Sequence, residues 1–112
     1  MQDIMDQLAR FTEERDWAQF HTPKNLAMAL NVESAELLEL FQWLTAEQSE
    51  RPDRERRDRI ADELADVFVY CLLLSRRLDI DLLDATRQKM IKNEAKYPAE
   101  LVRGSPKKYD EY

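Results

Sequence analysis

Two pairs of acidic residues have the types and spacing that could do chemistry. Glu33 and Glu36 form one pair, and Glu63 and Asp66 form the other. The members of each pair are three residues apart, so in a helix they occupy neighbouring positions on one face. Carboxylate oxygens are the ligands that a hard divalent cation prefers. Two such pairs on facing helices would form a cation site inside a helical bundle.

The apolar pattern around the first pair predicts that one carboxylate sits among core positions. Leucines recur there at intervals of three and four residues, and Glu33 fills the one polar position of the series. At about 100° per residue, Glu33 lies about 20° from the centre of this seam. Glu36 lies at the edge of the seam, and Glu39 lies toward solvent. The apolar members are Leu26, Leu30, Leu37, Leu40 and Leu44.

The second pair follows a similar pattern on the next long helix. Glu63 flanks the predicted apolar seam of that helix, and Asp66 lies one turn further on, nearer its polar side. Asp62 points away from both. The predicted seam consists of Ile60, Leu64, Val67, Cys71, Leu74 and Leu78.

An unpaired carboxylate in a core position is costly, so Glu33 needs a compensating partner. Arg or Lys side chains could supply it, and so could a divalent cation; the pattern leaves both open. Other sites are poorly supported. One His and one Cys cannot build a zinc site, and no glycine-rich phosphate loop exists. Cys71 lies on a seam, so a core position is favoured over a nucleophilic pair with His21.

Four helices must position these carboxylates. The first is predicted from about Asp3 to about Trp17, with Ile4, Leu8 and Phe11 on one face. The second begins at Pro23 with Thr22 as its cap and runs to about Leu44; Ala46 to Pro52 reads as a loop. The third begins after Asp53 and runs to about Leu78. The fourth, capped by Asp79 or Asp81, ends near Tyr97 before Pro98. Short connections predict an all-α, four-helix bundle-like subunit in one domain, residues 1–112, with residues 98–112 as an irregular tail.

Composition agrees with a small helical protein. The chain has 112 residues, one Gly and four Pro, so few residues favour β-turns. A net charge of −6 argues against nucleic acid or an anionic membrane as partner. The lone Cys71 indicates a reducing compartment. The N-terminus does not resemble a signal peptide and no apolar run is long enough to span a bilayer, so we expect a cytoplasmic protein.

The acidic signature resembles that of the MazG-like, all-α nucleoside triphosphate pyrophosphohydrolases. Further segments resemble the dCTP pyrophosphatase branch, over about Leu8 to Tyr109. They are Glu14-Arg15-Asp16-Trp17, Gln19-Phe20-His21, Glu36-Leu37-Leu38-Glu39-Leu40-Phe41-Gln42-Trp43 and Lys96-Tyr97-Pro98. Two positions depart from these relatives. Val32 stands where many members of the wider superfamily have a further Glu, which the dCTP branch often lacks too. Leu8 stands where some dCTP-branch members have a His near the base.

The resemblance implies specific roles for this chain's residues. It implies Mg²⁺ ligands at Glu33, Glu36, Glu63 and Asp66, a base pocket built with Trp17, His21, Trp43 and Tyr70, and nucleotide contacts from Lys89 and Asn93. By pattern alone, the aromatic residues are ordinary core residues, and Lys89 and Asn93 are a solvated stripe. Arg103, Lys107 and Lys108 could close over phosphates or be a solvated terminus.

The expected activity is Mg²⁺-dependent hydrolysis of dCTP or a modified dCTP to the monophosphate and pyrophosphate, which would clear unwanted nucleotides from the pool. One carboxylate, for which Glu36 is our candidate, would orient or deprotonate the attacking water, beside Glu33. A broader or dUTP-preferring enzyme is an alternative. A non-catalytic helical interaction module is another.

We also expect a homo-oligomer, a dimer or tetramer. Apolar residues lie beyond the seams, and a lone subunit would leave some of them in water. They are Phe68, Val69, Leu72 and Leu73 on the third helix, and Phe41 and Trp43 near the end of the second.

Overall fold

The computed structural model describes residues 1–106, and every regular element in that range is helical, which confirms the all-α prediction. Lys107 and Lys108 lie outside the described residues. The α-helices are α1 (Gln2–Glu14), α2 (Pro23–Glu39), α3 (Ala46–Ser49), α4 (Arg54–Arg77), α5 (Leu82–Lys96) and α6 (Ala99–Val102), and a single 3₁₀ turn (Ala18–Phe20) follows α1. The third and fourth predicted helices correspond to α4 and α5.

The chain divides into two compact units. The first, residues 1–79, contains α1 to α4 and all four of the predicted metal ligands; the second begins at Ile80 and contains α5 and α6. The four-helix bundle-like arrangement and the single domain over 1–112 therefore stay predictions.

The three longest helices, α2, α4 and α5, each begin with a capping side chain, as expected. The Thr22 hydroxyl accepts a hydrogen bond from the Asn25 N–H at 3.2 Å, and Pro23 occupies the first turn of α2. The Asp53 carboxylate accepts from the Arg56 N–H at 2.8 Å at the start of α4. Asp81 caps α5, whereas Asp79 takes a left-handed backbone conformation with φ 55° just after α4. Of the two candidate caps for α5, Asp81 is therefore the one used.

Several predicted boundaries are wrong. The predicted loop from Ala46 to Pro52 contains α3, because Thr45 and Gln48 form a reciprocal capping box that begins a helical turn. The second helix ends at Glu39 rather than about Leu44, and α1 ends at Glu14 rather than about Trp17. The predicted irregular tail contains one helical turn, α6.

Helices α2 and α4 pack against each other in antiparallel orientation and form the main contact of the first unit. The Arg56 guanidinium, at the start of α4, donates a hydrogen bond to the carbonyl of Leu40, at the end of α2. Further along, Glu33 of α2 lies beside Glu63 of α4. In the predicted α2 seam, Leu26 and Leu40 are buried, at 1% and 6% exposed, and the remaining leucines are half-buried.

The predicted seam on α4 is partly right, because Ile60, Val67, Cys71 and Leu74 are half-buried but two other members are not. Leu64 and Leu78 are half exposed, while Glu63 faces inward with Ile60 and Val67. Glu63 and Tyr70 occupy inward positions at helical spacing, so a seam drawn from apolar residues alone shifts toward Leu64. The face of α1 is shifted in the same way, because Thr12 is buried and both Ile4 and Phe11 are exposed.

The apolar residues expected to need a partner subunit divide into two groups. Phe68 and Trp43 are exposed, as the oligomer prediction requires. Leu72 and Leu73 are buried within the subunit, so they are not among the residues that a lone subunit would leave in water. Phe41 and Val69 are half-buried. No helix in residues 1–106 is both long and apolar enough to cross a membrane.

Candidate metal centre and adjoining cavity

Three of the four predicted ligands converge between α2 and α4. Glu33 and Glu36 lie one turn apart on α2, and Glu63 faces them from α4. One carboxylate oxygen from each lies within 4.8 Å of the other two. The spacing of three residues within the α2 pair, together with the antiparallel packing of the two helices, produces this convergence.

Asp66 lies at the edge of this cluster. It follows Glu63 by one turn of α4, is exposed, and lines a cavity together with Glu33. Its oxygen atoms are outside the group of three, yet its negative charge raises the pKa values of Glu33, Glu63 and Tyr70. The fourth predicted ligand is therefore near the cluster but is not one of its three converging members.

The electrostatics of the cluster disfavour its negative charges. The pKa of Glu33 is raised from 4.5 to about 7. Burial is the largest cause, followed by the hydrogen bond that a protonated Glu33 shares with Glu36 and then by the charge of Glu36. Burial, followed by the charge of Glu36, raises the pKa of Glu63. Tyr70 also has a raised pKa, through burial and then the charge of Glu33. The carboxylates therefore repel one another when they are ionised.

The unpaired oxygens test whether a cation fits. Glu33 Oε2 and Glu63 Oε2 are buried and have no hydrogen-bond partner. Within residues 1–106, no Arg or Lys forms an ion pair with any of the four carboxylates. Buried polar atoms are normally satisfied, and an all-oxygen donor set is the kind that hard divalent cations bind. The donor set therefore fits a divalent cation, and among residues 1–106 no Arg or Lys compensates the charge of Glu33.

A cavity of about 370 Å³ adjoins the carboxylates. Most of its wall is apolar or aromatic, with Glu33 and Asp66 as its acidic members. Two of the aromatic rings contact each other edge to face: the Phe11 and Trp17 centroids are 5.6 Å apart at an interplanar angle of 74°. The other lining residues are Leu8, Thr12, His21, Val69, Tyr70 and Leu73. An apolar, aromatic cavity beside a polar cluster suits a flat ring that carries an anionic group.

Three of the four residues predicted to form the base pocket line this cavity, and one does not. Trp17, His21 and Tyr70 line the cavity, whereas Trp43 is 87% exposed and does not. Lys89 is exposed and Asn93 half-buried on α5, in the second unit, so their proposed contacts stay predictions.

Sequence reasoning missed several lining residues. Phe11 was assigned only to a helix face, and Thr12, Val69 and Leu73 were not considered for the site. Thr12 follows Leu8 by one turn of α1, so the position of Leu8 near the base could have pointed to it.

A second cavity of about 370 Å³ shares part of the same wall. Thr12, His21 and Leu73 line both cavities, and Ala18, Arg76 and Arg77 line only the second. Along α4, Asp66 and Leu73 are seven residues, about 10 Å, apart. The shared wall therefore lies at the end of the first cavity that is far from the carboxylates.

The sequence that carries this site matches a known protein family. Residues 28–112, which include all four carboxylates, match the MazG-like family. The chain belongs to the MazG-like family. A solved structure of a pyrophosphatase from Archaeoglobus fulgidus is similar to this MazG-like chain, with a TM-score of 0.77 and 41% sequence identity over 88% of this chain and 92% of that one.

Two curated mammalian proteins are also similar to this MazG-like chain. Human dCTP pyrophosphatase 1 is 44% identical over 99% of the chain, and the Bos taurus protein of the same name is 43% identical over 97%. The chain spans 66% of the length of each, just under two thirds. The resemblance noted from the sequence is thereby confirmed.

Proposed function

We propose that this MazG-like chain is a nucleoside triphosphate pyrophosphohydrolase that cleaves dCTP or a modified dCTP to the monophosphate and pyrophosphate. The observation that carries the proposal is the trio of carboxylates with two buried, unpaired oxygens beside an aromatic cavity. The relatives named dCTP pyrophosphatase 1 support the choice of substrate. Removal of such nucleotides would keep the deoxynucleotide pool clean.

Mg²⁺ is the proposed metal, held by Glu33, Glu36, Glu63 and Asp66. An oxygen-only ligand set suits this ion, which also retains water and binds through substrate phosphates. When bound, the ion would neutralise charge on the phosphates and polarise their oxygens. The mutual repulsion of the carboxylates is the property that makes them receptive to a cation.

The protein's own side chains would position the attacking water and shield the base from solvent. Glu36 is proposed to orient the attacking water, since it lies one turn from Glu33 at the converging cluster. Trp17 and Tyr70 would enclose the base and exclude water from it. We retain Lys89 and Asn93 as proposed nucleotide contacts and Trp43 as a proposed contact from outside this cavity. A cytoplasmic enzyme that forms a homo-oligomer remains our proposal.

A panel of nucleoside triphosphates tests the proposal. Each is incubated with the chain and Mg²⁺, and pyrophosphate release is measured with and without a chelator. We expect the highest kcat/KM for a deoxycytidine triphosphate and loss of activity with chelator. Preference for dUTP would replace the substrate but keep the reaction class. Absence of hydrolysis across the panel would refute the enzyme and favour the interaction module.

A further inference from the structure

The Thr12 hydroxyl is a buried polar group without a partner in the first unit. The residue is 5% exposed. Inside helices elsewhere, the hydroxyls of Ser34 and Thr86 donate to the carbonyl four residues back, at 3.0 and 2.7 Å. Thr12 makes no such bond to Leu8, nor any other side-chain hydrogen bond with residues 1–106. Its oxygen is not among the side-chain atoms that are fully sealed from solvent. Thr12 lines both cavities, so a molecule bound there would lie beside its side chain.

The position of Thr12 within the cavities decides what could reach it. Thr12 shares the wall between the two cavities with His21 and Leu73, away from Glu33 and Asp66. A substrate whose phosphates are held at the carboxylates would extend its base toward this wall. In a pyrimidine nucleotide, the sugar is attached at N1, and C4 lies directly across the ring. The group at C4 would thus enter deepest.

We infer that Thr12 is a specificity-determining residue that binds the exocyclic group at C4 of a pyrimidine base. This inference rests on the proposed function and extends it. A hydroxyl both donates and accepts, and its hydrogen rotates to suit its partner. It accepts a hydrogen bond from the amino group of cytosine, and it donates one to the oxo group of uracil. Thr12 therefore favours bases with a polar C4 substituent and tolerates either kind.

The energetic reason for selectivity is the cost of leaving the hydroxyl unpaired. Of the two residues that share this wall with Thr12, Leu73 cannot hydrogen-bond through its side chain, whereas the His21 imidazole can. A base that lacks a polar group at C4 would displace water from Thr12 without replacing the hydrogen bond that the water made to the hydroxyl. One such hydrogen bond corresponds to roughly a tenfold change in kcat/KM.

A cycle that combines substitution with substrate change tests the inference. The variants are Thr12→Val, which keeps the shape and removes the hydroxyl, and Thr12→Ser, which keeps the hydroxyl. The substrates are dCTP, dUTP and the deoxynucleoside triphosphate of 2-pyrimidinone, which has only hydrogen at C4. For Thr12→Val we expect kcat/KM to fall about tenfold for dCTP and dUTP and to stay within about twofold for the 2-pyrimidinone substrate. Thr12→Ser should retain most of the activity on dCTP.

Thr86→Val is the matched control, because Thr86 is also inside a helix but donates to its own backbone. It should leave the preference among the three substrates unchanged. An equal loss on all three substrates in Thr12→Val would assign Thr12 a structural role and overturn the inference, as would no loss on any.

A different result would refute the proposed function and leave the inference about Thr12 to be decided by binding. A wild-type protein that hydrolyses none of the panel refutes the enzyme. In that case calorimetric binding of dCMP to wild type and Thr12→Val still decides the inference: equal affinity overturns it, and about tenfold weaker binding by the variant supports it.

Discussion

Replacing Glu33 by Gln should separate stability from activity, because the same charge that would bind a cation destabilises the metal-free protein. Glu33 has a pKa of about 7 in the folded chain, against an ordinary value of 4.5. The folded state therefore binds more protons than the unfolded state between these pH values. The stability of the metal-free protein should fall as pH rises from about 4.5 through about 7. Glutamine resembles the protonated carboxyl and should remove this loss.

The size of the effect follows from the pKa of Glu33. At about 1.36 kcal/mol per pKa unit, the rise from 4.5 to about 7 corresponds to at most about 3.4 kcal/mol. Solvent screens a half-buried side chain, so we expect about 1 to 2 kcal/mol. For a chain of this size, this raises the melting temperature of metal-free Glu33→Gln by about 4 to 8 °C at pH 8. Near pH 4.5 the difference should largely vanish.

The assay is thermal unfolding of wild type and variant across this pH range in chelator, combined with pyrophosphate release in Mg²⁺. The variant should keep less than about a tenth of the wild-type rate, a loss of at least about 1.4 kcal/mol in transition-state stabilisation. Glu39→Gln, an exposed change at the end of α2, is the matched control and should alter neither property. A Glu33→Gln protein that is less stable than wild type at pH 8, or that stays active, would refute the reasoning.

Three further outcomes are expected. Mg²⁺ at about 100 times its dissociation constant should stabilise wild type by about 2.7 kcal/mol in thermal unfolding but should have little effect on Glu63→Gln; equal shifts would remove Glu63 from the site. Trp43→Ala should raise KM while changing the free energy of unfolding by less than about 0.5 kcal/mol, because Trp43 is 87% exposed; an unchanged KM would remove Trp43 from substrate binding. Sedimentation equilibrium at low micromolar concentration should show a dimer or tetramer, and a single active species at the 13.3 kDa subunit mass would contradict the oligomer.

The sequence predicted the carboxylates better than the face that carries them. Spacing alone placed Glu33 in the α2 seam and identified the pair on α4. It misplaced the α4 seam toward Leu64, because Glu63 faces inward at a position where apolar periodicity has no hydrophobic residue to count. The convergence of three oxygens depends on how two helices pack, and no one-dimensional pattern contains that geometry.

Local signals explain other successes and errors. Thr22 and Asp53 were recognisable as caps, and Thr45 with Gln48 carried an equally readable capping box that was overlooked in a polar stretch. Thr12 gave no signal of its own, because a threonine within a helix is usually unremarkable. Its importance comes from burial and from a missing hydrogen bond, which only the folded structure reveals.

The most direct test of the account is phosphorus NMR of dCTP during incubation with the chain and Mg²⁺. The account predicts dCMP and pyrophosphate as the primary products, and no turnover once the metal is chelated. Primary formation of dCDP and orthophosphate would contradict the cleaved bond, and undiminished turnover in chelator would contradict the metal centre.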